Sequence, residues 1–207
     1  MPSKNKFATQ LAAIAFVALY AMSPATAASV DLSNPAFAQI AGPTSIPIGH
    51  SEFCKSHRSE CGVFRNAAAV EALTEARWRK LVAINDRYNR DIVPISDQDL
   101  YQVEELWTYP DGYGDCEDIA LAKRRALIDA GWDASALLMA VVRQQNGEGH
   151  AVLMVRTDRG DLILDNQDGM VRVWAETPYQ FLKRQSQSDA SKWVDILDNR
   201  VLTVAQR

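Results

Sequence analysis

Hydrophobic spacing divides the chain into a helical first half and a strand-rich second half. Between Asn66 and Asn89 the apolar residues Val70, Leu73, Leu81, Val82, Ile84 and Tyr88 recur at intervals near three and four, with charges between them. That spacing predicts an amphipathic helix laid against a core. Pro94 breaks it, because proline disfavours helical geometry in the residue before it. Ser96 with Asp99 then has the form of a capping box for a short second helix. Trp107 to Gly114 is turn-rich, carrying Pro110, Gly112 and Gly114. From Cys116 to about Ala130 the residues Ile119, Ala120, Lys123, Ala126, Leu127 and Ala130 draw one stripe, and Gly131 is the natural stop of this central helix.

Beyond Gly131 the period changes. Ala136–Val142 and Ala151–Val155 are nearly continuous apolar runs around an Asn146-Gly147 turn, which predicts a hairpin in a buried sheet. Leu162–Leu164 follows the Asp158-Arg159-Gly160 turn as a third strand. Val171–Trp174 is a further candidate, as are Trp193–Leu197 and Val201–Val204 around Asp198-Asn199. Helices followed by an antiparallel meander argue α+β. Residues 28–62, with Pro35, Pro43, Pro47, Gly42 and Gly49, show no useful period and predict a loop-rich N-terminal wrap.

The first residues bear on location. Lys4 and Lys6 precede the apolar run Leu11–Met22 and the small-residue site Ala25-Thr26-Ala27, the pattern of a secretory signal peptide. The expectation is cleavage after Ala27, leaving residues 28–207 as one exported domain, periplasmic or secreted, without a membrane span. The rival is an uncleaved anchor, although the run falls short of the roughly 20 residues a span requires. A net charge of -4 with scattered Lys and Arg carries no footprint of nucleic-acid binding.

Export changes the reading of the cysteines. Cys54 and Cys61 lie close together, and an oxidising compartment predicts a disulfide between them. His50, Cys54, His57 and Cys61 also have the residue types and spacing of a zinc site, which is the alternative.

Cys116 stands apart, after a glycine loop and at a helix start, where the helix terminus and a nearby imidazolium lower a thiol pKa. His150 and Asp165, on strand-like segments downstream, can supply a base and its orienting carboxylate if they face one another on paired strands. Each has a plainer reading: a small buried hydrophobe, a structural histidine and a turn aspartate. Asp115 suits an N-cap and Asp118 the helix dipole. Yet three carboxylates at Asp115, Glu117 and Asp118 oppose a thiolate, so a cation is expected to help. Asp115 and Glu117 are its candidate ligands, and their hard oxygens favour Ca²⁺.

Gly114-Asp115-Cys116-Glu117-Asp118, Gly149-His150-Ala151-Val152-Leu153 and Leu164-Asp165-Asn166, in that order, closely resemble the bacterial transglutaminase-like cysteine peptidases. The resemblance runs from about Ile46 to the C-terminus and includes Glu105-Leu106-Trp107 and Lys183-Arg184-Gln185-Ser186. It implies a papain-like, transglutaminase-type core, its nucleophile at the N-terminus of a central helix packed on an antiparallel sheet. Cys116 would be the nucleophile, His150 the base, Asp165 the orienter, and Asp115 and Glu117 the calcium ligands. LapG-type members are periplasmic, calcium-dependent proteases that clip a surface adhesin and are sequestered by an inner-membrane cyclic di-GMP receptor. The Cys54/Cys61 segment sets this chain on a separate branch from them.

The function expected is therefore an exported thiol protease acting on a cell-envelope or surface protein through an acyl-enzyme. The alternatives are an acyltransferase that resolves the same intermediate with an amine, and a non-catalytic calcium-binding module.

Overall fold

The computed structural model describes residues 36–65 and 69–200, so the signal-peptide reading and the Val201–Val204 strand lie outside the described residues. Among the described residues, nine strands and four α-helices form a mixed architecture of helices on an antiparallel sheet. The seven-stranded sheet runs β1 (Gln39–Thr44), β9 (Trp193–Leu197), β8 (Gln180–Gln185), β4 (Leu137–Arg143), β5 (Gly149–Thr157), β6 (Gly160–Leu164), β7 (Arg172–Val173). The hairpin expected around Asn146-Gly147 forms, with Val142 paired to His150 and Gly147 at φ 91. β4, β5 and β6 are buried almost throughout, which explains why they read as continuous apolar runs rather than alternating ones.

The connections are not a simple meander. β8 returns to pair with the far edge of β4, so β4 sits at the centre of the sheet between β5 and β8. β8 escapes hydrophobic patterning because it buries polar side chains, Arg184 and Gln185, where a strand template expects apolar ones.

The central helix α4 (Cys116–Asp129) lies on β4 and β5 and ends at Gly131, whose φ of 83 suits glycine. The preceding helix α2 (Glu75–Asp91) packs on α4. It starts nine residues later than the periodicity from Asn66 predicts, because the Thr74 side chain accepts a hydrogen bond from Arg77 N and caps it there. The short helix α3 (Asp97–Tyr101) follows, capped by Ser96 as expected.

The loop-rich reading of residues 28–62 is corrected within the described part. β1 occupies the sheet edge opposite β7, where Pro43 costs no ladder bond on the open side and the register shifts between Ile40 and Pro43. Helix α1 (Ile48–Ser56) buries only Gly49, His50 and Phe53, too narrow a stripe to register as helical spacing. Cys54 and Cys61 are bonded, with Cα atoms 5.5 Å apart, so both sulfurs are consumed and the zinc alternative is set aside. His50 instead packs edge-on against Trp107 and Trp193.

Candidate active site

Cys116 is the first residue of α4, and the loop before it takes its shape from Gly114. A Cβ on Gly114 would stand 2.8 Å from Asp118 Oδ2 and 3.1 Å from Pro110 Cβ, so only glycine allows the chain to pass that close. Two short parallel strands, β2 (Val93–Pro94) and β3 (Tyr113–Gly114), pair beside it, and Ile95 N donates to Gly114 O at 3.1 Å. This pairing carries Asp97 to Asp115.

His150 and Asp165 meet. His150 Nε2 lies 2.8 Å from Asp165 Oδ1, with both side chains buried. They are not directly opposed across the ladder, as the sequence suggests they could be. β5 pairs Leu153 with Leu164, so Asp165, just past β6, falls level with Val152 and reaches His150 diagonally. Asp165 Oδ1 also accepts from Gln167 N at 2.9 Å, while Oδ2 accepts from the Tyr179 hydroxyl. Burial pushes the Asp165 carboxyl up, but the hydrogen bonds and charge it shares with His150, together with Tyr179 and Gln167, outweigh burial and hold it below the usual range. A carboxylate that accepts from Nε2 leaves Nδ1 of a neutral imidazole as the basic nitrogen. Gln167 Nε2 lies 3.4 Å from that Nδ1.

The Cys116 thiol shares one open cleft with His150, Trp107, Glu105, Val141 and Lys183. Ala151 N donates to Cys116 Sγ at 3.4 Å, and the thiol donates to Glu117 Oε2 at 3.0 Å. Burial, then the Glu117 charge, push the thiol pKa well up. The electrostatic opposition anticipated from the acidic neighbours is thus present.

Those neighbours do not act as ordinary caps. Asp115 occupies the N-cap position without making a side-chain cap bond. Its carboxylate gathers instead with Asp97 and Glu117, whose oxygens all lie within 4.8 Å of one another. Burial and mutual repulsion raise the pKa of Asp115 and Glu117, and burial pushes Asp118 up to about 7. Asp97 Oδ1, Asp115 Oδ1 and Asp118 Oδ2 are buried without a hydrogen-bond partner. Buried carboxylate oxygens that lack donors and crowd one another are the donor set of a hard cation, so the residues fit one. Asp118 Oδ1 is occupied by Thr108 N at 2.7 Å.

Sequence reading missed Asp97, Gln167 and Tyr179. Asp97 hides inside the Ser96–Asp99 capping box, where an acidic residue in a first helical turn needs no further explanation. Tyr179 and Gln167 lie outside any periodic segment and acquire their meaning only from contact with Asp165 and His150.

Among solved structures the chain is similar to calcium-bound Legionella pneumophila LapG, with 22% identity and a TM-score of 0.47 over 52% of this chain and 64% of that one. It therefore spans less than two-thirds of that chain. EGTA-treated Legionella pneumophila LapG gives 21% identity and a TM-score of 0.49 over 59% of this chain and 72% of that one. No match is found among curated proteins. The sequence profile described as bacterial transglutaminase-like cysteine proteinase BTLCP matches residues 40–201, most of the chain, and the chain therefore belongs to that family.

Proposed function

We propose that this protein is an exported, calcium-dependent cysteine endopeptidase that cleaves a protein of the cell envelope or cell surface. The observation that carries the reading is the buried His150–Asp165 pair, whose His150 lines the same cleft as Cys116. Asp165 fixes His150 so that Nδ1, beside the Gln167 amide, is the nitrogen that takes the Cys116 proton. The thiolate attacks the peptide carbonyl, and the tetrahedral oxyanion is stabilised by backbone N–H groups at the start of α4. His150 then protonates the leaving amine, the C–N bond breaks, and water assisted by His150 hydrolyses the thioester.

Calcium enters on the donor set of Asp97, Asp115 and Glu117 with its unpartnered oxygens. When bound, it supplies positive charge that offsets the carboxylates opposing the Cys116 thiolate. Glu117 is both a ligand candidate and the acceptor of the thiol's hydrogen bond, so its oxygens link the two sites.

Export rests on the basic, apolar and small-residue order of the first 27 residues. Among the described residues, no helix is long and apolar enough to cross a membrane. Family resemblance further implies regulation by an inner-membrane cyclic di-GMP receptor, which co-purification from the envelope would test.

The decisive experiment compares envelope protein termini between wild type and Cys116→Ala, with a labelled amine present in a parallel incubation. New termini that require Cys116 are expected. Products that carry the amine would assign the acyl-enzyme to transfer instead, and identical termini in both strains would overturn the protease reading.

A further inference from the structure

Lys123 interrupts the apolar stripe of α4 and is buried, 1% exposed. An ammonium in that position is costly unless it is hydrogen-bonded. Its Nζ donates to Asn85 Oδ1 of α2 at 2.8 Å. Asn85 is itself fully buried, and its Nδ2 donates to the carbonyl oxygens of Asp168 at 3.4 Å and Gly169 at 3.2 Å. One turn further along α2, Asn89 Nδ2 donates to Asp165 O at 2.7 Å. The segment that carries Asp165 and Gln167 is thus held from behind by two asparagines of α2, one of which is held by Lys123.

The geometry of α4 gives this chain of contacts a direction. Lys123 lies seven residues after Cys116, which returns it to the same helix face two turns on. One rigid element therefore bears the thiol at its end and, through Lys123 and Asn85, the restraint on the loop that carries the carboxylate. Asp165 is the first residue past β6, which ends at Leu164.

We infer that Lys123 and Asn85 are positioning residues that hold the Asp165–Gly169 loop in register with the Cys116 end of α4. The inference rests on the proposed roles of Cys116, His150 and Asp165. Both residues act through the loop and touch none of the reacting atoms.

The test uses the mature chain with calcium present and two variants. Lys123→Met removes the ammonium at similar length. Asn85→Asp keeps an acceptor for Lys123 but loses the two donations to the loop, so it separates loop restraint from burial of the lysine. In both, kcat on a peptide substrate should fall about tenfold to a hundredfold with KM nearly unchanged, the scale on which misplacement of a catalytic group acts. Amide exchange at Gln167 and Met170 should accelerate about tenfold while β4 and β5 amides stay protected, as a local opening requires. Wild-type kcat and wild-type exchange in folded Asn85→Asp would overturn the inference. If Lys123→Met fails to fold, Asn85→Asp alone decides. Full turnover in Cys116→Ala would sink the acyl-enzyme reading instead, and the exchange at Gln167 and Met170 would still decide whether the restraint exists.

Discussion

Asp165 Oδ1 accepts from His150 Nε2 at 2.8 Å and from its own loop, through Gln167 N, at 2.9 Å. One oxygen therefore orients the imidazole and ties down the segment that delivers it. Asp165→Asn would retain the loop bond only by presenting its carbonyl oxygen to both N–H groups, and would lose the charge that stabilises an imidazolium. kcat should fall about 10⁴-fold with the fold intact, the loss seen when a triad aspartate becomes an asparagine. Steady-state kinetics beside a far-ultraviolet CD spectrum measures it, and a loss under tenfold would remove Asp165 from the orienting role.

Asp97 should bind calcium although nothing in its local sequence says so. Its carboxylate closes the cluster with Asp115 and Glu117. Calcium at a hundredfold excess over Kd should stabilise the chelated protein by about 2.7 kcal/mol. Asp97→Asn should weaken binding by at least about tenfold to a hundredfold, the loss that removal of even an outer-shell partner causes at a metal site. Urea unfolding with and without calcium reads the stabilisation and isothermal titration of chelator-treated protein reads the affinity; equal affinity in the variant would exclude Asp97 as a ligand.

His50 should make stability fall in mild acid. Burial, then the Arg124 charge, lower its pKa from 6.5 to about 4. Between these values the unfolded chain binds a proton that the folded protein does not. Stability from this group is complete above about pH 6.5 and declines towards pH 4, by up to about 3 kcal/mol. Urea unfolding at several pH values, compared with His50→Gln, isolates the term. Parallel pH profiles for the two proteins would show that His50 contributes nothing to it.

The Cys54–Cys61 bond closes a short loop at the end of α1, whose His50 packs on the cleft residue Trp107. Reduction should cost about 2–3 kcal/mol, as loop-closure entropy predicts for so small a ring. Thermal unfolding with and without reductant tests this. A Tm unmoved by verified reduction would mean that the bond does not stabilise the folded state.

Local patterning marks out the α+β class, the central helix from Cys116 and the β4–β5 hairpin, and it singles out Cys116, His150 and Asp165 as candidates. These are legible because a helical stripe, a buried apolar run and a glycine before a cysteine are local patterns, each set by residues a few positions apart. α1 and β8 were not legible, since one buries too narrow a stripe and the other buries Arg184 and Gln185. Tertiary packing sets three further relations: Asp115 makes no cap bond, Asp97 joins it through the β2–β3 pairing, and Lys123 reaches the Asp165 loop through Asn85. Those relations join residues distant in the chain. Their energies come from burying charges and polar groups together, which no local period of the sequence records.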